Sequence, residues 1–135
     1  MAACHEQDMP LVTLTVRQGK TSEFKSAVLA GVHAALVAAG VPEKDRFQRV
    51  LELAPDDFRF DEDYPDLTAR RTQDYVLIEI VLSAGRSVKV KKQILADLIA
   101  HLARSPGVDP EDVMVVFEET RWENWSFGGG RFIHT

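Results

Sequence analysis

Met9-Pro10-Leu11-Val12-Thr13-Leu14-Thr15-Val16 is the stretch on which the reading of this chain turns. Val12, Leu14 and Val16 alternate with Thr13, Thr15 and Arg17, the two-residue period of a strand with one more polar face. A proline stands at its start, where a missing N–H breaks no ladder. The methionine before it adds a chemical reading. If translation starts at Met9 and that residue is trimmed, Pro10 carries a free secondary amine that can take or give a proton. If it starts at Met1, the same nitrogen is an ordinary amide. Residues 1–8 show no periodicity and read as a tail, native or acquired, so residues 9–135 are expected to form one domain.

Outward from this strand, Gly19 closes it and Thr21 is placed to cap a helix. Phe24, Val28, Val32, Leu36 and Ala39 fall on one stripe of that helix, Glu23 suits its first turn, and Gly40 and Pro42 end it. A second strand follows over Arg46 to Leu53. These pieces make a strand-helix-strand half spanning about residues 10–54. Ala54 to Asp74 is polar and rich in turn residues, and is expected to be a long excursion with a short strand around Phe58-Arg59-Phe60. Loops of this length tend to be functional.

The pattern then recurs over about residues 75–120. Tyr75 to Leu82 is a nearly continuous apolar strand. Val88, Lys91, Ile94, Leu95, Leu98 and Leu102 mark a helix ending at Gly107, and Val113 to Glu118 is a closing strand, followed by a segment over 121–135. Gly19-Lys20-Thr21 matches Gly85-Arg86-Ser87, and Gly40-Val41-Pro42-Glu43-Lys44-Asp45 matches Gly107-Val108-Asp109-Pro110-Glu111-Asp112. The expected fold is therefore α+β: duplicated βαβ units in a four-stranded mixed sheet, with two long helices on one face. The other face is not polar, because both alternating sets of Tyr75 to Leu82 are apolar apart from Glu79. Both sheet faces must then be buried, and the simplest cover for the second is another copy of the chain in closed symmetry. Glu79 is expected at the polar edge of the sheet or at that interface.

Composition bounds the function. The chain has 135 residues, 45% hydrophobic and 27% charged, which suits one globular core. A net charge of −5 without a basic run argues against a nucleic-acid partner. Short apolar runs broken by charges argue against a membrane segment. Cys4 is alone and no signal peptide precedes the domain, so a cytoplasmic location is expected. His5, His33, His101 and His134 lack ligand spacing, so no metal site is expected.

Five features together carry a resemblance: Pro10 opening the first strand, the two βαβ halves, Val41-Pro42 followed by Asp45-Arg46, the Gly85-Arg86-Ser87 junction, and Trp125-Ser126-Phe127-Gly128. The chain resembles the tautomerase superfamily, closest to its malonate semialdehyde decarboxylase-like branch. The resemblance covers Met9 to about Phe132. It implies a homotrimer, no metal or organic cofactor, and proton chemistry at an N-terminal proline acting on a small carboxylate substrate. Residue by residue, Pro10 matches the catalytic proline and Asp45 the supporting carboxylate. Arg86 matches one of two substrate-binding arginines, and Trp125 and Phe127 match aromatic residues that wall the pocket. The second arginine has no counterpart, because the chain reads Leu82-Ser83-Ala84-Gly85 there. Lys20 sits where many relatives have arginine and is given no catalytic role.

The residues support these roles on their own terms. Arg86 precedes a helix, where the positive dipole end disfavours a cation, yet its guanidinium and the turn's N–H groups suit a carboxylate. Asp45 in its charged turn reads equally as a solvated acid. Trp125 and Phe127 read as interface aromatics or pocket walls, followed by the irregular run Gly128-Gly129-Gly130. Arg70 and Arg71 read as solvated loop charges, with the missing second cation as the less favoured alternative. An α-amine has a reference pKa of about 7.7 to 8.0. A neutral amine suits keto–enol tautomerisation; a cationic one suits decarboxylation or hydration of a 3-oxo acid assisted by Asp45. A non-catalytic trimeric scaffold with Pro10 blocked by residues 1–9 is the alternative of a different class.

Overall fold

A computed structural model describes residues 10–132. The expected tail with Cys4 and His5, Met9, and His134 lie outside the described residues. The order is β1 (Leu11–Arg17), α1 (Ser22–Ala38), β2 (Phe47–Leu53), β3 (Val76–Ser83), α2 (Val88–Arg104) and β4 (Val113–Thr120). One mixed sheet runs β2-β1-β3-β4. β1 pairs with β2 and β3 with β4 in parallel, while β1 and β3 meet antiparallel at the centre. The two halves thus lie head to tail.

The repeated sequence does the same work twice. Thr21 Oγ1 accepts from Phe24 N at 3.0 Å and Ser87 Oγ from Val90 N at 3.2 Å, so both helices start on a hydroxyl cap. Both end before a glycine of positive φ, Gly40 at 108° and Gly107 at 99°. The valines that follow, Val41 and Val108, drop into the core.

That core lies between the helices and one sheet face. Val12, Leu14, Val16, Ile78, Ile80 and Leu82 meet Val28, Val32, Leu36, Ile94, Leu98 and Leu102, all buried. α1 and α2 approach closely at Gly31, where an added Cβ would stand 3.2 Å from His101 Cβ. Leu95 and Val88, expected on the buried stripe of α2, face outward; they sit round the helix from the Ile94, Leu98, Leu102 line that meets the sheet.

The other face has no helix over it among the described residues and mixes apolar with polar side chains. In β2 the helices take Gln48 and Val50, with Gln48 Nε2 donating to the Leu29 carbonyl at 2.9 Å. Phe47 and Leu51 are turned the other way and exposed, as are Met114 and Val116 on β4. Glu79 shares this bare face, level with Thr13, whose Oγ1 accepts from Arg49 Nε at 2.8 Å. No helix among the described residues is long and apolar enough to cross a membrane.

The excursion between β2 and β3 closes one end of the sheet. Arg17 Nε donates to the Phe58 carbonyl at 3.1 Å, and the Phe58 and Phe60 rings lie 5.4 and 4.3 Å from that of Tyr75. Buried Asp112 accepts from Thr72 N and Oγ1, each at 2.6 Å. The strand expected around Phe58-Arg59-Phe60 does not form. Both phenylalanines pack on the Tyr75 ring instead of pairing with a strand. Burial holds the Tyr75 phenol above its ordinary pKa, with the Arg71 guanidinium opposing weakly.

Candidate active site

Register alone gathers the candidate residues. Leu11 pairs with Phe47 on one side and Val81 on the other, while Ser83 pairs with Thr120. β1 and β2 therefore begin at the end of the sheet where β3 and β4 finish. Buried Pro10, the turn carrying Asp45, the Gly85-Arg86-Ser87 junction and the segment after β4 all belong to that end.

The last of these folds back across the sheet. The Trp125 and Phe127 rings stack with centroids 5.6 Å apart, and Phe127 stacks on Phe47 at 5.4 Å. A chain leaving one edge strand is thereby tied to the other edge strand, over the face the helices leave bare. Trp125 Nε1 is shielded from solvent and has no hydrogen-bond partner among the described residues, a state that costs about 1–3 kcal/mol for a neutral donor. Phe47 went unrecognised from sequence, although its place in the β2 set that includes Leu51 and faces away from α1 marked it.

Arg86 is half-buried between Gly85, with φ of 118°, and the Ser87 cap of α2. It is engaged by contacts of its own, and its Nε and Nη2 are shielded from solvent. The start of α2 adds N–H groups and the positive end of its dipole, so an anion there meets donors from backbone and side chain together. Half-buried Asp45 also has its own contacts, in a turn closed by Asp45 N to the Pro42 carbonyl at 3.0 Å and Arg46 N to the Lys44 carbonyl at 2.9 Å. Among the described residues no three His, Cys, Asp or Glu side chains converge as metal ligands would.

The remaining cations lie elsewhere. Arg71 Nη1 donates to the Asp61 and Tyr64 carbonyls at 2.7 and 2.6 Å and sits over Tyr75. Arg70 stands 3.8 Å from Asp63 on the surface, and Lys20 pairs with Asp74. All three belong to the opposite end of the sheet, so within one chain neither Arg70 nor Arg71 meets Arg86 as a second cation.

The fold thus sets a proline at the start of a central strand and an arginine at the head of the second helix, at one end of the sheet. The family model described as "Tautomerase enzyme" matches residues 45–128. The chain belongs to the tautomerase superfamily, in its malonate semialdehyde decarboxylase-like branch. "Probable tautomerase YusQ" of Bacillus subtilis (strain 168) is 28% identical over 91% of this chain and 96% of its own length. A crystal structure of malonate semialdehyde decarboxylase superposes with a TM-score of 0.82 at 32% identity, covering 90% of this chain and 92% of that one. A fused 4-OT described as a symmetric trimer, 24% identical with a TM-score of 0.68 over 90% of this chain and 94% of its own, shares the fold.

Proposed function

We propose that this chain is a cofactor-free enzyme that moves protons on a small 2-oxo or 3-oxo carboxylate, with keto–enol tautomerisation as its reaction. The observation that carries this reading is the gathering of Pro10, Asp45, Arg86 and the Trp125–Phe127 stack at one end of the sheet. Arg86 and the first turn of α2 grip the carboxylate. The Pro10 amine, once terminal, removes a proton from the carbon beside the carbonyl and returns one to the other end of the enol system. Trp125 and Phe127 exclude water, which strengthens each charge interaction inside. Asp45 orients the amine or a water.

Decarboxylation or hydration of a 3-oxo acid of the malonate semialdehyde type is the second reading. The similarity to malonate semialdehyde decarboxylase and the position of Asp45 favour it. The absence of an arginine from Leu82-Ser83-Ala84-Gly85 weighs against that particular substrate. The working assembly in either reading is a homotrimer, supported by the exposed Phe47, Leu51, Met114 and Val116 on the face the helices leave uncovered and by the trimeric state given for the fused 4-OT. An acidic chain with one cysteine agrees with a cytoplasmic enzyme.

The test compares the full chain with one starting at Pro10 on phenylenolpyruvate and on a panel of 3-oxo acids, beside the intact mass of natively purified protein. Equal activity of both forms rejects the proline mechanism. Inactivity of both, with the assembly intact, favours the binding scaffold.

A further inference from the structure

His33 is a buried titratable side chain to which the proposed chemistry gives no task. It sits in the penultimate turn of α1, only 5% exposed, and its Nε2 lies 2.8 Å from the Glu43 carbonyl oxygen. A carbonyl can only accept, so Nε2 carries the proton and donates. Glu43 lies in the turn whose next members are Lys44 and Asp45. That turn is anchored to α1 at two points: through the Val41 N–H, which donates to the Leu36 carbonyl at 3.1 Å, and through His33.

The duplicated half shows that the tie is specific to this end. The core stripes of the two helices align at Val28 with Ile94, Val32 with Leu98 and Leu36 with Leu102, so Ile99 takes the place of His33 in α2. The matching turn there is closed by different means: Asp109 Oδ1 accepts from Glu111 N at 2.8 Å, and Asp112 holds Thr72. The chain thus carries an imidazole that reaches the turn beside Pro10 and an aliphatic side chain at the matching place of α2.

We infer that His33 is a positioning residue: its hydrogen bond to the Glu43 carbonyl sets the turn so that Asp45 is held at the Pro10 end of the sheet. This rests on the reading that Asp45 acts in the reaction. A donor held by burial on α1 fixes the turn more firmly than an exposed side chain would. Misplacement of a catalytic group by about 1 Å can cost on the order of 100-fold in rate.

The experiment has a structural and a kinetic arm. In the full 135-residue chain, His33→Leu is expected to speed hydrogen exchange at the Asp45 and Arg46 amides by roughly ten-fold or more while leaving Val12 and Ile78 protected. In the active form, His33→Leu lowers kcat by roughly 10- to 100-fold with KM little changed. His33→Gln, which keeps an N–H donor, recovers most of that loss. In an Asp45→Asn background, His33→Leu adds no further loss. If the leucine variant does not fold, His33→Asn, whose shorter amide falls short of Glu43, makes the same comparison with His33→Gln. Unchanged exchange at Asp45, equal defects in the Gln and Leu variants, or fully additive losses with Asp45→Asn overturn the inference. A fully active Asp45→Asn chain overturns the reading of Asp45 and the inference with it, whereas an inactive Asp45→Asn beside a fully active His33→Leu overturns the inference alone.

Discussion

Phe47 and Phe127 stack with ring centroids 5.4 Å apart, and this contact binds the first residue of β2 to a segment that leaves β4 on the opposite edge of the sheet. Such a pair contributes about 0.5–1.5 kcal/mol beyond its buried area. Phe47 is 46% exposed, so the contact holds the segment more than it holds the core. Phe47→Ala should raise KM by about 2- to 10-fold, the same energy read as binding, and lower Tm only slightly. Steady-state kinetics beside a thermal melt decide this; a lower Tm with unchanged KM would mean that the stack is packing alone.

Pro10 should work only as a terminal amine. Its amide nitrogen, with a preceding residue attached, has its lone pair delocalised into the carbonyl and is no base. The chain starting at Pro10 should exceed the full chain by about 10²- to 10⁴-fold in kcat/KM, the usual contribution of a positioned acid or base. The tautomerase rate should rise with pH through the amine's pKa, near 7.7 to 8.0 for an unperturbed α-amine, since the neutral form is the base. A rate that falls over that range points to the cationic amine and to the decarboxylase reading.

Arg86→Ala should lower kcat/KM on carboxylate substrates by about 10- to 100-fold, the cost of charged hydrogen bonds worth about 1.5–3 kcal/mol. Arg86→Lys should restore little, because an ammonium lacks the planar fork. Calorimetry of the same variants provides the control. Losses of stability that parallel the losses of activity would make Arg86 a structural residue.

Leu51, Thr15, Leu77 and Met114 form one row across the bare face. Sedimentation at micromolar concentration should give three times the 15.1 kDa chain mass. Leu51→Asp should shift the distribution toward smaller species, because it sets an unpaired charge in an apolar contact. A stable monomer of the unaltered chain would end the trimer reading.

The duplicated pattern was legible because glycines, caps and apolar periods are local signals, and both halves obey them. Thr21 and Ser87 cap their helices as their sequence context demands. The strand ends at Pro10 and Ser83 could be paired only once the halves were known to run antiparallel, a property of the whole sheet. The aromatic cluster of Phe58, Phe60 and Tyr75 was misread because period-two apolar residues look the same in a strand and in a loop packed on a ring. His33 was invisible for a related reason: a buried imidazole is defined by the carbonyl it meets, and that carbonyl lies in another element.

The head-to-tail meeting of β1 and β3 gives the sheet two ends built from the same blueprint, yet only one of them can hold a chain terminus. A polypeptide has a single amino terminus. At the end that holds Pro10 the central strand has a residue from which the chain can begin; at the other, β3 is entered through Tyr75 from the middle of the chain. Covalent fusion of two βαβ units therefore dictates an asymmetry that no pairing of separate units would have. In the proposed reading one end is left for chemistry, and its twin, with Asp112 fastened to Thr72 and three aromatic rings packed there, becomes a clasp.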